Sequence, residues 1–263
     1  MTLQINTKAE HADAYWLRAN TKTKNVKLRL ICFPYAGGGA RMFLPWQKEL
    51  GESIEVLAYK LAGRESRLRA ALYADWSTLL DELIDAIGML DQDYGECPYV
   101  IFGHSFGARI AFELTRKLEA LQKPLPLQLF LSACRAPSEP CILPYMYNLD
   151  SSAFYARVAK MGGTPAHILE DKRLMRMLEP ILRSDMALSE LWPDSERTPV
   201  NVKITALSGV HDKIDPPMVM QAWQNYTHNN FELICFEGEH FFLHSHQNQL
   251  LRQIENECKQ LME

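Results

Sequence analysis

Gly103-His104-Ser105-Phe106-Gly107 is the stretch of this chain best suited to chemistry. It directly follows the apolar run Tyr99-Val100-Ile101-Phe102 and directly precedes a helical pattern over Ala108–Leu121. A G-x-S-x-G run between a strand and a helix is a nucleophile elbow. The tight turn forces Ser105 into a conformation that only side-chain-free neighbours tolerate. Its hydroxyl is then held at a helix N-terminus, where the first backbone N–H groups lack intrahelical partners and can stabilise negative charge.

A serine hydroxyl needs a base to take its proton. Of the eight histidines, His240 lies just after the last strand-like run, Phe231–Phe236, and before a C-terminal helical pattern. In elbow-bearing enzymes the order is Ser, then Asp or Glu, then His, and His240 fits the last place. His244 and His246 lie where a cap or a solvent-facing role explains them, and His104 is explained by packing within the elbow. The acid should follow the preceding strand-like run, Val202–Leu207. Asp212 is the first acid there, 28 residues before His240. It would hold the imidazole in one tautomer and stabilise the imidazolium. The competitor is Asp215, which precedes Pro216 and Pro217 and is otherwise explained as a helix N-cap.

A tetrahedral oxyanion needs two backbone donors, one after the nucleophile and one from the loop after an early strand. Phe106 supplies the first. Ala36, in Phe33-Pro34-Tyr35-Ala36-Gly37-Gly38-Gly39, is the choice for the second. A dinucleotide loop is the rival reading of those glycines, but G-x-G-x-x-G fails because position 42 is Met.

These residues must be positioned by a scaffold. Strand-like runs at Leu28–Pro34, Ile54–Leu61, Tyr99–Gly103, Leu127–Ser132, Val202–Leu207 and Phe231–Phe236 alternate with helical patterns at Asp75–Leu90, Phe106–Leu121 and His246–Leu261. The alternation predicts an α/β fold, with a mostly parallel central sheet flanked by helices. Ala14–Arg18, followed by the polar stretch Ala19–Lys27, could add an edge strand antiparallel to the next one, Leu28–Pro34. Pro137 to Pro199 holds no convincing strand but helical patterns at Ser151–Met161 and Glu170–Leu191, which reads as a helical lid inserted at 138–199 within a single domain spanning 1–263. Leu174, Met177, Leu178, Ile181 and Leu182 would form one apolar face, and Pro180 predicts a kink or a helix boundary.

The chain has 263 residues, 47% of them apolar and 23% charged, the balance of a globular protein with a large core. A formal charge of −4 argues against a general nucleic-acid binder, which clusters Lys and Arg. No run approaches the roughly 20 apolar residues that span a bilayer, so a cytoplasmic protein without membrane association is expected. The six cysteines show no C-x-x-C pairing and read as reduced, mostly buried thiols. No metal-ligand spacing is present.

With these residues in view, the chain resembles the type II (external, editing) thioesterases of nonribosomal peptide and polyketide synthase systems, members of the α/β-hydrolase superfamily. The matching stretches are Cys32–Gly38, Gly63-Arg64, the elbow, Ser132–Pro137, Gly163-Thr164-Pro165, Arg183-Ser184-Asp185, Gly209–Asp212 and His240–Leu243. Ala62 and Glu239 depart from the family pattern, standing where Pro and Gly are usual. The resemblance implies removal of stalled or aberrant acyl groups from the phosphopantetheine arm of peptidyl or acyl carrier proteins by a monomer without cofactor. The alternative is a small-molecule carboxylesterase or a medium-chain acyl-carrier-protein hydrolase. Carrier proteins are acidic, so the entrance should offer positive charge; Arg64, Arg67, Arg69, Lys172, Arg173 and Arg176 are the candidates.

Overall fold

The computed structural model describes residues 11–19, 25–141, 143–192 and 198–263. Seven strands form one sheet: β1 Trp16–Arg18, β2 Leu28–Phe33, β3 Ile54–Tyr59, β4 Tyr99–His104, β5 Gln128–Ser132, β6 Lys203–Gly209 and β7 Phe231–Phe236. Their order is β1-β3-β2-β4-β5-β6-β7. The ladders from β3 through β7 are parallel, and β1 alone is antiparallel, pairing Trp16 with Tyr59 at the sheet edge. The expected antiparallel edge strand is therefore present but shorter, Ala14 and Tyr15 belonging to a helical turn, and it pairs with β3 rather than with the next strand, β2, whose two edges are taken by β3 and β4. The polar link that follows it lies largely outside the described residues.

The helices are α1 Ala12–Tyr15, α2 Trp46–Glu49, α3 Trp76–Tyr94, α4 Phe106–Ala120, α5 Ser151–Met161, α6 Ala166–Glu170, α7 Lys172–Glu190, α8 Pro217–Met220, α9 Phe242–Ser245 and α10 Gln247–Leu261. Three long ones start on aspartates. Asp75, Asp150 and Asp171 each accept from backbone N–H groups of the first turn, satisfying donors that have no intrahelical partner.

Both faces of the sheet are covered, which is why the central strands β2, β4 and β5 are buried along their whole length rather than on alternate residues. In β4, Tyr99 and Ile101 join the cluster under α3 and α4, while Val100 and Phe102 join the cluster under α2 and α10. β7 is an edge, and it carries exposed Glu232 and Cys235. That edge position corrects the expectation of buried thiols in part: Cys32, Cys134 and Cys258 are buried, but Cys141 and Cys235 are exposed, and all six are free.

Between β5 and β6, α5 to α7 gather Met146, Phe154, Val158, Met175 and Leu182 into a cluster of their own. α7 passes through Pro180 as one helix, so no boundary falls there. Met175 before Pro180 and Ile181 and Leu182 after it are buried, and packing on both sides offsets the roughly 3 kcal/mol that an interior proline costs. The buried stripe is also rotated from the one expected. Leu174 and Met177 are exposed, while Asp185 lies inside. Leu178, Ile181 and Leu182 of the expected face do pack inward, but a count of apolar residues cannot register a buried aspartate, so the stripe is shifted toward Asp185.

Phe102, fully buried, meets Trp46 and Phe43 edge-on, with ring centres 4.9 and 6.0 Å away. Phe102→Ala should cost about 3–5 kcal/mol by urea denaturation, and a loss under about 1 kcal/mol would contradict this packing.

Candidate active site

β4 ends one residue before Ser105, which takes φ 54°, ψ −113° at the start of α4. A non-glycine residue there is strained, on the order of 1–3 kcal/mol. The flanking glycines are sterically required. A Cβ on Gly103 would lie 2.1 Å from the Gly107 carbonyl oxygen, and one on Gly107 would lie 2.2 Å from the Phe33 carbonyl oxygen. The Ser105 N–H donates to the Ser132 carbonyl at 2.7 Å, anchoring the elbow to the end of β5.

His240 sits in the loop after β7, and its Nδ1 meets Asp212 Oδ2 at 2.8 Å, both residues being buried. Burial opposes ionisation of Asp212, but the hydrogen bond and charge of His240, with the amides of Asp215 and Ile214, outweigh it and hold the carboxyl below its usual range. Those amides donate to Asp212 Oδ1 at 2.9 and 2.7 Å. An ionised carboxylate only accepts, so Nδ1 carries the proton toward Asp212 and Nε2 is left free to accept one. Asp215 faces elsewhere: Arg135 Nε donates to its Oδ1 at 2.5 Å. It does not cap α8 either, whose N-cap is Pro216 with no side-chain bond. The N-cap reading of Asp215 is thus corrected. A cation from the loop after β5, distant in sequence, satisfies it.

Ser105, His240 and Ala36 line one chamber of about 100 Å³, whose apolar wall includes Leu143, Met146, Val158, Met161, Leu182 and Met186. A wider cleft of about 680 Å³ adjoins it at His240, Phe241 and Gly162-Gly163, and is bordered by Arg157, Lys160 and Lys213. Glu239 lines this cleft and is exposed. Fully buried His104 lies edge-on to His240 at 5.5 Å and meets Ser132 Oγ at 2.9 Å. Burial, then the charges of His240 and His244, push its pKa well below the usual histidine range, so it packs as a neutral ring. His244 Nε2 contacts the Tyr35 hydroxyl at 3.2 Å.

The Phe106 N–H opens α4, where no residue four positions back can accept from it. Ala36 precedes Gly37, which holds φ +76°. Asp185, from α7, accepts from the Gly37 N–H at 2.8 Å and takes both arms of Arg64 at 2.8 Å. Arg64 also donates to the Gly38 carbonyl at 2.9 Å. The pair is buried and fixes the loop that carries Ala36. Arg64 is thereby consumed, which removes it from the surface cations expected at an entrance. Arg67 is consumed too, bonding Glu82 at 2.6 Å and lying over the Tyr15 ring. Arg69, Lys172, Arg173 and Arg176 are exposed. Spacing could not reveal the Arg64–Asp185 pair, because its partners are 121 residues apart.

Asp185→Ala would leave Arg64 buried without its partner and the Gly37 N–H without its acceptor. The expected loss is about 3–5 kcal/mol in denaturant unfolding. Stability within 1 kcal/mol of the parent would show that the loop is held by something else.

Among the described residues no group of His, Cys, Asp and Glu is arranged to hold a metal ion, and no helix is long and apolar enough to cross a membrane. A family model described as a thioesterase domain matches residues 28–258. The linear gramicidin dehydrogenase LgrE of Brevibacillus parabrevis is 33% identical, over 92% of this chain and 91% of its own. LgrE is named for a redox reaction, whereas this chain's glycine loop lacks dinucleotide spacing and is bound internally by Asp185. The solved structure of the RedJ thioesterase from the prodiginine biosynthetic pathway in Streptomyces coelicolor is 32% identical, with a TM-score of 0.81 over 88% of this chain and 91% of that one. That of the type II thioesterase BorB, from the borrelidin biosynthetic cluster, is 29% identical, with a TM-score of 0.80 over 94% and 98%. The expected α/β-hydrolase fold is present, and this chain belongs to the thioesterase family, hydrolases that act on thioesters.

Proposed function

We propose that this chain is a cytoplasmic type II thioesterase that clears acyl groups from the phosphopantetheine arms of carrier proteins in nonribosomal peptide or polyketide biosynthesis, with Ser105, His240 and Asp212 as its triad. One observation carries the catalytic part: Asp212 holds His240 by Nδ1 at 2.8 Å, and His240 opens on the same chamber as Ser105. The likeness to RedJ and BorB supports the biosynthetic setting.

In this reading His240 Nε2 takes the Ser105 proton as Oγ attacks the thioester carbonyl. The Phe106 and Ala36 N–H groups stabilise the oxyanion. His240⁺ then returns the proton to the departing thiolate, leaving an acyl-serine. A water, deprotonated by His240, attacks that ester, and the products are a carboxylic acid and a free thiol. The segment 138–199 serves as the lid: α5 and α7 wall the chamber, and Asp185 ties α7 to the oxyanion loop. The narrow chamber receives the acyl group and the wide cleft admits the arm.

Ser105→Ala should lower kcat/KM on the order of 10⁴-fold or more with the fold intact. His240→Ala should be comparably severe. Asp212→Asn should cost less, since Asp212 acts through the base. Asp215→Asn should instead appear as lost stability of about 3 kcal/mol, because Arg135 is left buried without its charge partner. Measuring kcat/KM and the unfolding free energy on all four variants checks the assignment, and a larger catalytic loss at Asp215 than at Asp212 would overturn it.

For the partner, Lys160 and Lys213 border the cleft beside His240 and are exposed. Rim charges steer encounter and are screened within about 8 Å at physiological salt. Reversing both to Glu should lower kcat/KM more for an acyl-carrier protein than for an acyl-pantetheine, with the gap closing as salt rises. Equal losses on both substrates at every salt concentration would remove the cleft from the docking route. Reversal of Arg173 and Arg176 in parallel tests the α7 face as the alternative.

A further inference from the structure

The acyl chamber is not uniformly apolar, and two of its charged lining residues, Arg109 and Glu190, are not paired with each other. Arg109 lies one helical turn beyond Ser105 on α4 and lines the same chamber. Its guanidinium is laid on the Trp192 ring at 4.8 Å and donates from Nη1 to the Ser189 carbonyl, while its Nε is buried without a hydrogen-bond partner. Beside it, burial pushes the Cys134 thiol to about 11, with the Arg109 charge acting in the opposite sense. Glu190, next to Ser189 at the end of α7, lines the same chamber. Among the described residues its carboxylate accepts from the Met146 and Tyr147 amides, at 3.0 Å. Burial raises its pKa, against those amides and the charges of Arg109 and Arg157.

The Arg109 charge thus acts on the Glu190 carboxylate, and among the described residues the two form no ion pair. Another two charged residues at the wall, Arg135 and Asp215, are closed on each other. A saturated acyl chain filling the chamber would lay methylenes against Arg109 and Glu190 and offer nothing to the hydrogen-bonding capacity that their internal partners leave unused, which is unfavourable. An amide has a carbonyl to accept from the guanidinium and an N–H to donate to the carboxylate.

Resting on the thioesterase reading above, we propose that Arg109 and Glu190 select acyl groups that carry an amide beyond the thioester, as N-acylaminoacyl and peptidyl groups do, over alkyl chains of the same shape. Discrimination of this kind is strong because a site built to hydrogen-bond a substrate leaves its own buried groups unpaired when the analogue lacks the amide.

The test compares two pantetheine thioesters of matched skeleton, N-acetylglycyl and 4-methylpentanoyl, each kcat/KM divided by the thioester's uncatalysed hydroxide rate. The normalised ratio should favour N-acetylglycyl at least tenfold. It should fall at least fivefold in Arg109→Met or in Glu190→Gln. The glutamine can still accept from Met146 and Tyr147, so that variant keeps its structural bonds, and thermal melts establish that each variant is folded. A parent ratio below ten, or a ratio that both folded variants leave in place, overturns the proposal; if neither variant folds, the parent ratio alone decides. Hydrolysis of either thioester that depends on Ser105 upholds the thioesterase reading whichever acyl group is preferred, so the two ideas fail separately.

Discussion

Asp185 and Arg64 meet in a buried, two-armed ion pair, and three parts of the chain depend on that contact. Asp185 belongs to α7, Arg64 to the loop after β3, and the Gly37 N–H and Gly38 carbonyl that they bind belong to the loop after β2. Two charges removed from water cost several kcal/mol each unless their geometry and remaining hydrogen bonds are good. Here every arm is used on backbone or on the partner, which makes the position of the glycine loop an all-or-none matter. Because the acid comes from a helix that also walls the chamber, the loop carrying Ala36 and the cover over the chamber are mechanically one unit.

The sheet performs the complementary task. A parallel sheet sends the carboxyl ends of its strands to one edge, and this edge collects Pro34–Gly39 after β2, Ser105 after β4, Arg135 after β5, Asp212 after β6 and His240 after β7. None of these residues is near another in sequence except through that edge. Its rigidity has a steric origin: β4, β2 and α4 approach so closely at Gly103 and Gly107 that even one methyl group would collide with backbone. The strained conformation of Ser105 persists because the surroundings leave it no room to relax.

Charged residues divide by where their partners lie. Arg64, Arg67 and Arg135 are all closed on carboxylates within the structure, whereas Lys160, Lys213, Arg173 and Arg176 face outward. Arg109 and Glu190 belong to neither group, being drawn into the chamber without closing on each other. The apolar chamber, the charged residues at its wall and the cleft bordered by Arg157, Lys160 and Lys213 thus meet at His240 with different surroundings on its two sides.

The elbow glycines, the order of Ser105, Asp212 and His240, the six main strands and the long helices were legible in the sequence, because each rests on local physics: strand-length apolar runs, turn sterics, and apolar residues recurring at helical spacing. What lay beyond local reach was pairing across distance. That Asp215 belongs to Arg135, that Arg64 is buried on Asp185 rather than offered to solvent, and that the inner stripe of α7 runs through an aspartate follow only once residues 80 to 121 positions apart are brought together. Hydrophobic periodicity treats a buried ion pair as two surface charges, since the partner that makes burial tolerable is invisible in the local pattern. The sequence by itself determined which residues could do the chemistry and on which elements they stand; the tertiary structure decided which of the charges are closed and which remain open to a ligand.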